Sequence, residues 1–204
     1  MRVVALSSGG IDSSVMMQLL KKRDCRLFPL FIDYGQLAAN AEWEACQKIC
    51  QYLDLKPNYM DISGFGKLIP SGITSRDLDI ESDAFLPTRN LLLLTLGAAY
   101  GYTKSAYVIA IGLLSTSIFP DQTKEFVQEA QRTISNALGI DISILSPLIS
   151  LNKIDTLMLA RKYKLPLDHV YSCHSGTEHP CGRCISCKER IAAEKALSTH
   201  KSEF

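Results

Sequence analysis

A doubly wound α/β fold on a mainly parallel sheet is the class this sequence predicts, and three observations predict it. Apolar runs of strand length recur at residues 3–6, 27–32, 59–62, 106–111 and 142–145. Each run is followed by a stretch with helical character, which is the alternation of βα units. The second run, Leu27-Phe28-Pro29-Leu30-Phe31-Ile32, is continuously apolar. Continuous runs suit strands covered on both faces, as in parallel sheets, whereas a half-solvated strand alternates.

The elements follow in order. The first strand runs into Ser7-Ser8-Gly9-Gly10-Ile11-Asp12-Ser13-Ser14 and then a helical pattern. After the second strand, Cys46, Ile49, Cys50 and Leu53 repeat at helical spacing, which marks a core-facing stripe; Cys25 precedes a buried strand, and packing is favoured over reactivity for all three cysteines. Residues 64–85 show no period and are rich in Gly, Ser and Asp, which suits either a loop over a site or a plain surface excursion. Pro87 is placed for the first turn before a helix over 91–99. Asp121 is a cap for a helix over 125–138, and Asn152 with Asp155 for one over 157–163. A last helix is expected over 188–197.

Composition limits the function. A chain of 204 residues with 47% apolar content has the size and the means to bury one core, with little room for further domains. Lys and Arg total 22 against 21 for Asp and Glu, a net charge of +1. Such a balance supplies no basic field and argues against a nucleic-acid partner. No apolar stretch reaches membrane-spanning length, and the start Met-Arg-Val-Val-Ala-Leu meets the glycine loop without a cleavage pattern, so a cytoplasmic protein with no membrane partner is expected. In that compartment seven cysteines read as metal ligands or small buried apolar groups before disulfides.

The glycine-serine loop carries the first chemical signal. Between a strand and a helix it presents backbone N–H groups and the positive end of a helix dipole, a natural seat for phosphate. It has neither the lysine of a Walker loop nor the third glycine of a dinucleotide fingerprint. Asp12 would repel pyrophosphate unless a Mg²⁺ ion lay between them, so it implies a metal; the bland alternative is a turn with Asp12 as helix cap. The loop resembles that of the N-type ATP pyrophosphatases, whose Ser-Gly-Gly-x-Asp-Ser pattern is matched by Ser8 through Ser13. That resemblance implies ATP split between its α and β phosphates on an adenine nucleotide alpha hydrolase-like fold, with residues 7 to 14 as the nucleotide loop.

The second signal is the set Cys173, Cys181, Cys184 and Cys187, spaced C-x7-C-x2-C-x2-C. Four close thiolates suit tetrahedral Zn²⁺, with Gly182 free to take a positive φ in the knuckle; an iron–sulfur cluster uses the same ligand type, and unligated core thiols are the third reading. Four sulfur ligands leave no open position, so the metal would be structural and would pin the last helix. His174 and His179 flank the cluster, where roles behind the ligands or in solvent are favoured over ligation.

Three further groups are readable. Arg89 with Asn90, opening a helix, could fix a phosphate or carboxylate, or Arg89 could be a solvated helix end. Lys153 in a first helical turn could neutralise charge developing on phosphate, or be an exposed lysine. Asp33, at the carboxyl end of a strand, could hold Mg²⁺ or a ribose, its rival being a plain loop carboxylate.

Taken with Asp33-Tyr34-Gly35-Gln36, Pro87-Thr88-Arg89-Asn90 and Ser146-Pro147-Leu148-Ile149, the two signals are similar, in order and over nearly the whole chain, to the 7-cyano-7-deazaguanine synthase family. The resemblance implies a nucleotide domain over 1–165 with a zinc-binding segment over 166–204 packed on it, and a homodimer. It implies Asp12, Arg89 and Lys153 as catalytic groups, and Asp33, Tyr34, Gln36 and Asn90 beside the nucleotide. The implied reaction adenylates 7-carboxy-7-deazaguanine with ATP, forms an amide with ammonia, and uses a second ATP to dehydrate the amide to a nitrile.

Three departures bear on the acceptor side. Leu37-Ala38-Ala39 follow Gln36 where the family has a basic residue and a histidine, and Gln122-Thr123-Lys124 replace a cysteine and an arginine; Thr88 stands where the family has glycine. They leave activation in place and open the alternative that the activated acid passes to another amine, a protein in antiphage defence among them. A tRNA-modifying enzyme, for which a basic surface and a reactive cysteine pair are expected, and a non-catalytic nucleotide sensor are the other readings. Pyrophosphate release with candidate acids separates the sensor from the enzymes.

Overall fold

The computed structural model describes residues 1–116 and 118–199. Five strands, β1 (Arg2–Leu6), β2 (Arg26–Asp33), β3 (Asn58–Asp61), β4 (Val108–Ala110) and β5 (Ser143–Leu145), form one sheet in the order β3-β2-β1-β4-β5. Every pairing is parallel. Among the described residues the α-helices are α1 (Ile11–Lys21), α2 (Ala39–Tyr52), α3 (Gly64–Leu68), α4 (Arg89–Thr103), α5 (Lys124–Leu138), α6 (Lys153–Lys162) and α7 (Ile185–Thr199).

Side-chain alternation divides the core between the two faces of the sheet. Val3 and Ala5 of β1 face α1, α2, α6 and α7, where Met16, Ile49, Leu157 and Ala193 pack with them. Val4 and Leu6 face α4 and α5, where Leu94, Ala98, Val127 and Ile134 close the other layer. Both faces are covered, which is why the strands read as unbroken apolar runs. The strand order reverses between β1 and β4. Open α/β sheets leave a crevice at such a reversal, beyond the carboxyl ends of the strands.

Several local expectations are corrected. Asp121 does not cap α5; Thr123 does, its side chain accepting from Phe126 N at 3.0 Å. Asp121 is buried and serves α4 instead: Oδ2 accepts from Asn90 N at 3.1 Å, and its carbonyl accepts from Asn90 Nδ2 at 3.0 Å. Pro87 stands outside α4, which begins at Arg89 after Thr88 in the left-handed region at φ 60°. The aperiodic stretch after β3 carries α3 and then packs: Ile73, Ala84 and Leu86 form a small cluster with Tyr34, Phe119 and Ile185. The capping box of α6 is present, Asn152 Oδ1 accepting from Asp155 N and Asp155 Oδ2 from Asn152 N, each at 3.0 Å.

The segment after residue 165 lies directly on the nucleotide loop. Tyr171 N donates to Gly9 O at 3.1 Å, and Ser172 Oγ accepts from Ile11 N at 3.5 Å. The last residues of the expected zinc-binding segment, 200–204, lie outside the described residues.

Candidate active site and metal centre

A cavity of about 250 Å³ opens at the strand-order reversal. Leu6, Ser7, Ser8, Gly10, Ile11, Asp12 and Ser13 line it from the β1–α1 loop, and Ile111, Gly112 and Leu113 from the end of β4. The loop is held by its own serines: Ser8 Oγ and Ser13 Oγ lie 3.2 Å apart, and Gly10 N donates to Ser8 Oγ at 3.3 Å. Gly9 has φ +73°, and a Cβ there would fall 2.5 Å from Cys46 N and Glu42 O, so the loop rests on α2 with no room for a side chain.

Not every loop residue faces the cavity. Gly9 and Ser14 are outside its lining, and Ser14 Oγ is spent on Gly10 O at 2.7 Å. Asp33 is likewise outside it: Oδ1 accepts from Gly35 N at 2.9 Å and Oδ2 from the Tyr59 hydroxyl at 2.6 Å. These three act by shaping the loops. Gln36 lines the cavity and also ties its turn together, accepting from Tyr34 N at 2.9 Å and donating to Glu42 Oε2 at 3.0 Å.

Asp12 and Lys153 form one unit. Lys153 Nζ donates to Asp12 Oδ2 at 2.6 Å and lies 3.8 Å from Glu189 Oε2. Asp12 Oδ1 is enclosed and has no partner among the described residues. An orphaned carboxylate oxygen at the mouth of an anion cradle suits a hard divalent cation. Arg89 and Asn90, at the start of α4, line the same cavity, and the Arg89 guanidinium opposes the upward push that burial gives the Tyr34 hydroxyl.

Three residues enter the site without a local sequence signal. Glu42 lines the cavity with its carboxyl pushed up to about 7, mainly by burial. His174 faces it too; burial pushes its imidazole down to about 4, with Arg89 and Lys153 adding to the effect, and Nδ1 has no partner. Glu189 comes from α7, its carboxyl raised by burial.

The ligand atoms of Cys173, Cys181, Cys184 and Cys187 all lie within 4.8 Å of one another. Tetrahedral thiolate ligation with bonds of about 2.3 Å places sulfurs about 3.8 Å apart, so the set fits one metal ion. Backbone N–H groups already point at the sulfurs: Cys181 N to Cys173 Sγ at 3.3 Å, Cys184 N to Cys181 Sγ at 3.4 Å, and Cys187 N to Cys184 Sγ at 3.5 Å. Gly182 takes φ +72° in the knuckle. Ile80 packs against the cluster and Glu81 pairs with Lys188 at 2.5 Å, so the stretch after β3 covers the metal site. Cys46 and Cys50 are fully buried in the core, and Cys25 is half-buried.

A parallel sheet with a serine-glycine loop at its switch point defines an adenine nucleotide alpha hydrolase-like fold of the pyrophosphate-loop class, here with a four-cysteine metal-binding segment. Solved structures show the same fold. A 4-thiouridine synthetase–RNA complex with bound ATP matches 97% of this chain and 50% of its own length at TM-score 0.60 and 14% identity. The NH3-dependent NAD synthetase from Campylobacter jejuni, in complex with nitrate, matches 98% of this chain and 75% of its own at TM-score 0.53 and 18% identity. Within that class, the chain belongs to the family of queuosine biosynthesis protein QueC, which residues 2–198 match. It is 33% identical to 7-cyano-7-deazaguanine synthase 1 of Desulfitobacterium hafniense, over 98% of this chain and 93% of the relative. It is 31% identical to the 7-cyano-7-deazaguanine synthase of Nautilia profundicola, over 96% and 94%. No described helix is long and apolar enough to cross a membrane.

Proposed function

We propose that this protein is an ATP-dependent, AMP-forming C–N ligase that converts 7-carboxy-7-deazaguanine to 7-cyano-7-deazaguanine. The observation that carries the reading is the cradle of Ser8, Gly10 and Ser13 facing the enclosed, unpartnered Oδ1 of Asp12 within a chain of the synthase family. Ser8 and Ser13 hydroxyls and the Gly10 N–H receive the departing pyrophosphate, in the low-dielectric crevice where such donors are strongest. Mg²⁺, held by Asp12 Oδ1, would offset the phosphate charge when ATP binds. Lys153, fixed on the other oxygen of Asp12 in the adjoining chamber, offsets the charge that develops at the α-phosphate through that shared wall, and Arg89, which lines the nucleotide cavity, supplies a second cation.

The four cysteines hold Zn²⁺ in a structural role. A metal there fixes α7, which delivers Glu189 to Lys153, and the Tyr171–Ser172 strap, which bonds the loop.

Completion to the nitrile is supported by where the family departures fall. Leu37, Ala38 and Ala39 line neither the nucleotide cavity nor the cavity beside it; Ala38 is buried and Leu37 N bonds Ile73 O. Thr123 is a helix cap and Lys124 is exposed, so only Gln122 faces the site. Incubation with ATP, Mg²⁺, ammonium and 7-carboxy-7-deazaguanine should release AMP and pyrophosphate in an acid-dependent manner and yield the nitrile by mass spectrometry. An accumulating amide or a protein conjugate would redirect the acceptor step, and no acid-dependent AMP would overturn the reading.

A further inference from the structure

Beside the nucleotide cavity lies a second one of about 150 Å³. The two share a wall that includes Asp12, Arg89, Gln122 and His174, so they form one continuous cleft. The chambers differ on their other walls. The first is bounded by the phosphate cradle and by strand ends, which suits a nucleotide. The second has apolar faces from Ile73, Ala84, Phe119 and Ile185, drawn from three separate stretches of the chain, and a charged end where Lys153 and Glu189 join the shared Asp12. Phe119 is braced by Phe85, their ring centroids 5.3 Å apart and tilted at 38°. On the shared wall the enclosed His174 Nδ1 has no partner among the described residues, and the enclosed Asp12 Oδ1 is the oxygen assigned above to the cation. A slot with apolar faces and polar groups at one end is built for a flat, polar-ended ligand.

We propose that this second cavity is the binding site of the acid substrate, with its ring between Phe119 and the Ile73–Ala84 side and its carboxylate at the shared wall against Arg89. The inference rests on the reading that the protein adenylates a heterobicyclic acid. That step forms a bond from a carboxylate oxygen to the α-phosphorus of ATP and breaks the α–β bridge, pyrophosphate leaving with the electron pair. The attacking oxygen must therefore approach the α-phosphorus to about 3–3.5 Å, which requires an acid site continuous with the nucleotide site. Arg89 faces both chambers, and its planar fork matches a carboxylate. Lys153 also lines the second chamber, but its Nζ is held by Asp12 and faces Glu189, so Arg89 is the cation shared by both chambers.

The test is equilibrium binding of ATP and of 7-carboxy-7-deazaguanine, measured separately, to the metal-loaded wild type and to Phe119→Ala and Ala84→Leu. Phe119→Ala removes the stacking face and Ala84→Leu fills the slot; neither residue lines the nucleotide cavity. Both variants should weaken the acid about tenfold or more and leave ATP affinity within about twofold, with wild-type metal content reporting the fold. Wild-type affinity for the acid in both variants, or equal loss of acid and ATP, would overturn the placement alone. A wild type that binds no acid and releases no AMP with it would remove the underlying reading, and the inference with it.

Discussion

Lys153 Nζ bonds Asp12 Oδ2 at 2.6 Å, joining the first turn of α6 to the first turn of α1 across 141 residues of chain. The side chains are 9% and 27% exposed, so the pair is shielded from solvent screening yet open to the cleft. One carboxylate oxygen is thereby committed to a cation of the protein, and the other, enclosed, has no partner among the described residues. The pair also holds Lys153 Nζ in one place at the edge of the cleft.

Asp12→Asn should separate fold from catalysis. An amide oxygen can still accept from Lys153, so the expected loss of stability is modest, about 1–3 kcal/mol, arising from a cation left with weaker compensation. AMP and pyrophosphate formation should fall by at least about 10²-fold, with metal content unchanged. Steady-state turnover beside chemical denaturation checks both parts; near-normal turnover would reduce the loop to a turn.

Lys153→Met should be less neutral for the fold than a surface lysine change, because it removes the cation that lies between Asp12 and Glu189. Glu189, already raised by burial, would lose the Lys153 interaction that opposes that rise. Turnover should drop about 10²-fold or more while ATP affinity changes far less, since the lysine acts on charge that develops in the transition state. Equal loss in kcat and in ATP binding would reassign Lys153 to ground-state binding.

How far the sequence carried can be seen residue by residue. The strands, the loop of Ser7 to Ser14, the capping box of Asn152 and Asp155, and the cysteine spacing are legible because each is encoded within a few neighbouring residues. What was illegible is what the topology assembles. Glu42 sits on a helix face beside Gln36, His174 follows a cysteine, and Glu189 lies in a charged helix; nothing local marks them, and only the crossing at the switch point brings them to one cleft. Asp121 looked like a cap for the helix next to it and is instead bonded to Asn90, 31 residues earlier. Asp33 looked available at a strand end, but its turn and Tyr59 use both oxygens.

The cysteine cluster predicts coupling between metal and loop. One zinc per chain is expected by elemental analysis, and Cys184→Ser, at a site with no exposed surface, should lose metal and become aggregation-prone. Because Tyr171 and Ser172 bond the nucleotide loop, chelation should also lower ATP affinity before global unfolding. Iron with visible absorbance would replace zinc by a cluster, and soluble metal-free protein of normal stability would end the structural role.

Glu42 predicts a pH signature in the ligand-free protein. Its carboxyl is raised from 4.5 to about 7; burial is the main cause, Asp33 adds to it, and the Gln36 amide and Arg89 oppose it. A carboxyl with a higher value folded than unfolded binds its proton more tightly in the folded chain. Its stabilising contribution is therefore complete below about pH 4.5 and is lost as pH rises through about 7. The full shift corresponds to at most about 3 kcal/mol. Glu42→Gln retains an oxygen that accepts from Gln36 and removes the titration, so the variant should gain on the wild type as pH rises from 5 to 8, by about 1–3 kcal/mol. Denaturant unfolding at both pH values, taken as the difference between the two proteins so that other titrating groups cancel, measures the effect. A difference that stays constant with pH would place the Glu42 carboxylate in water and ionised throughout.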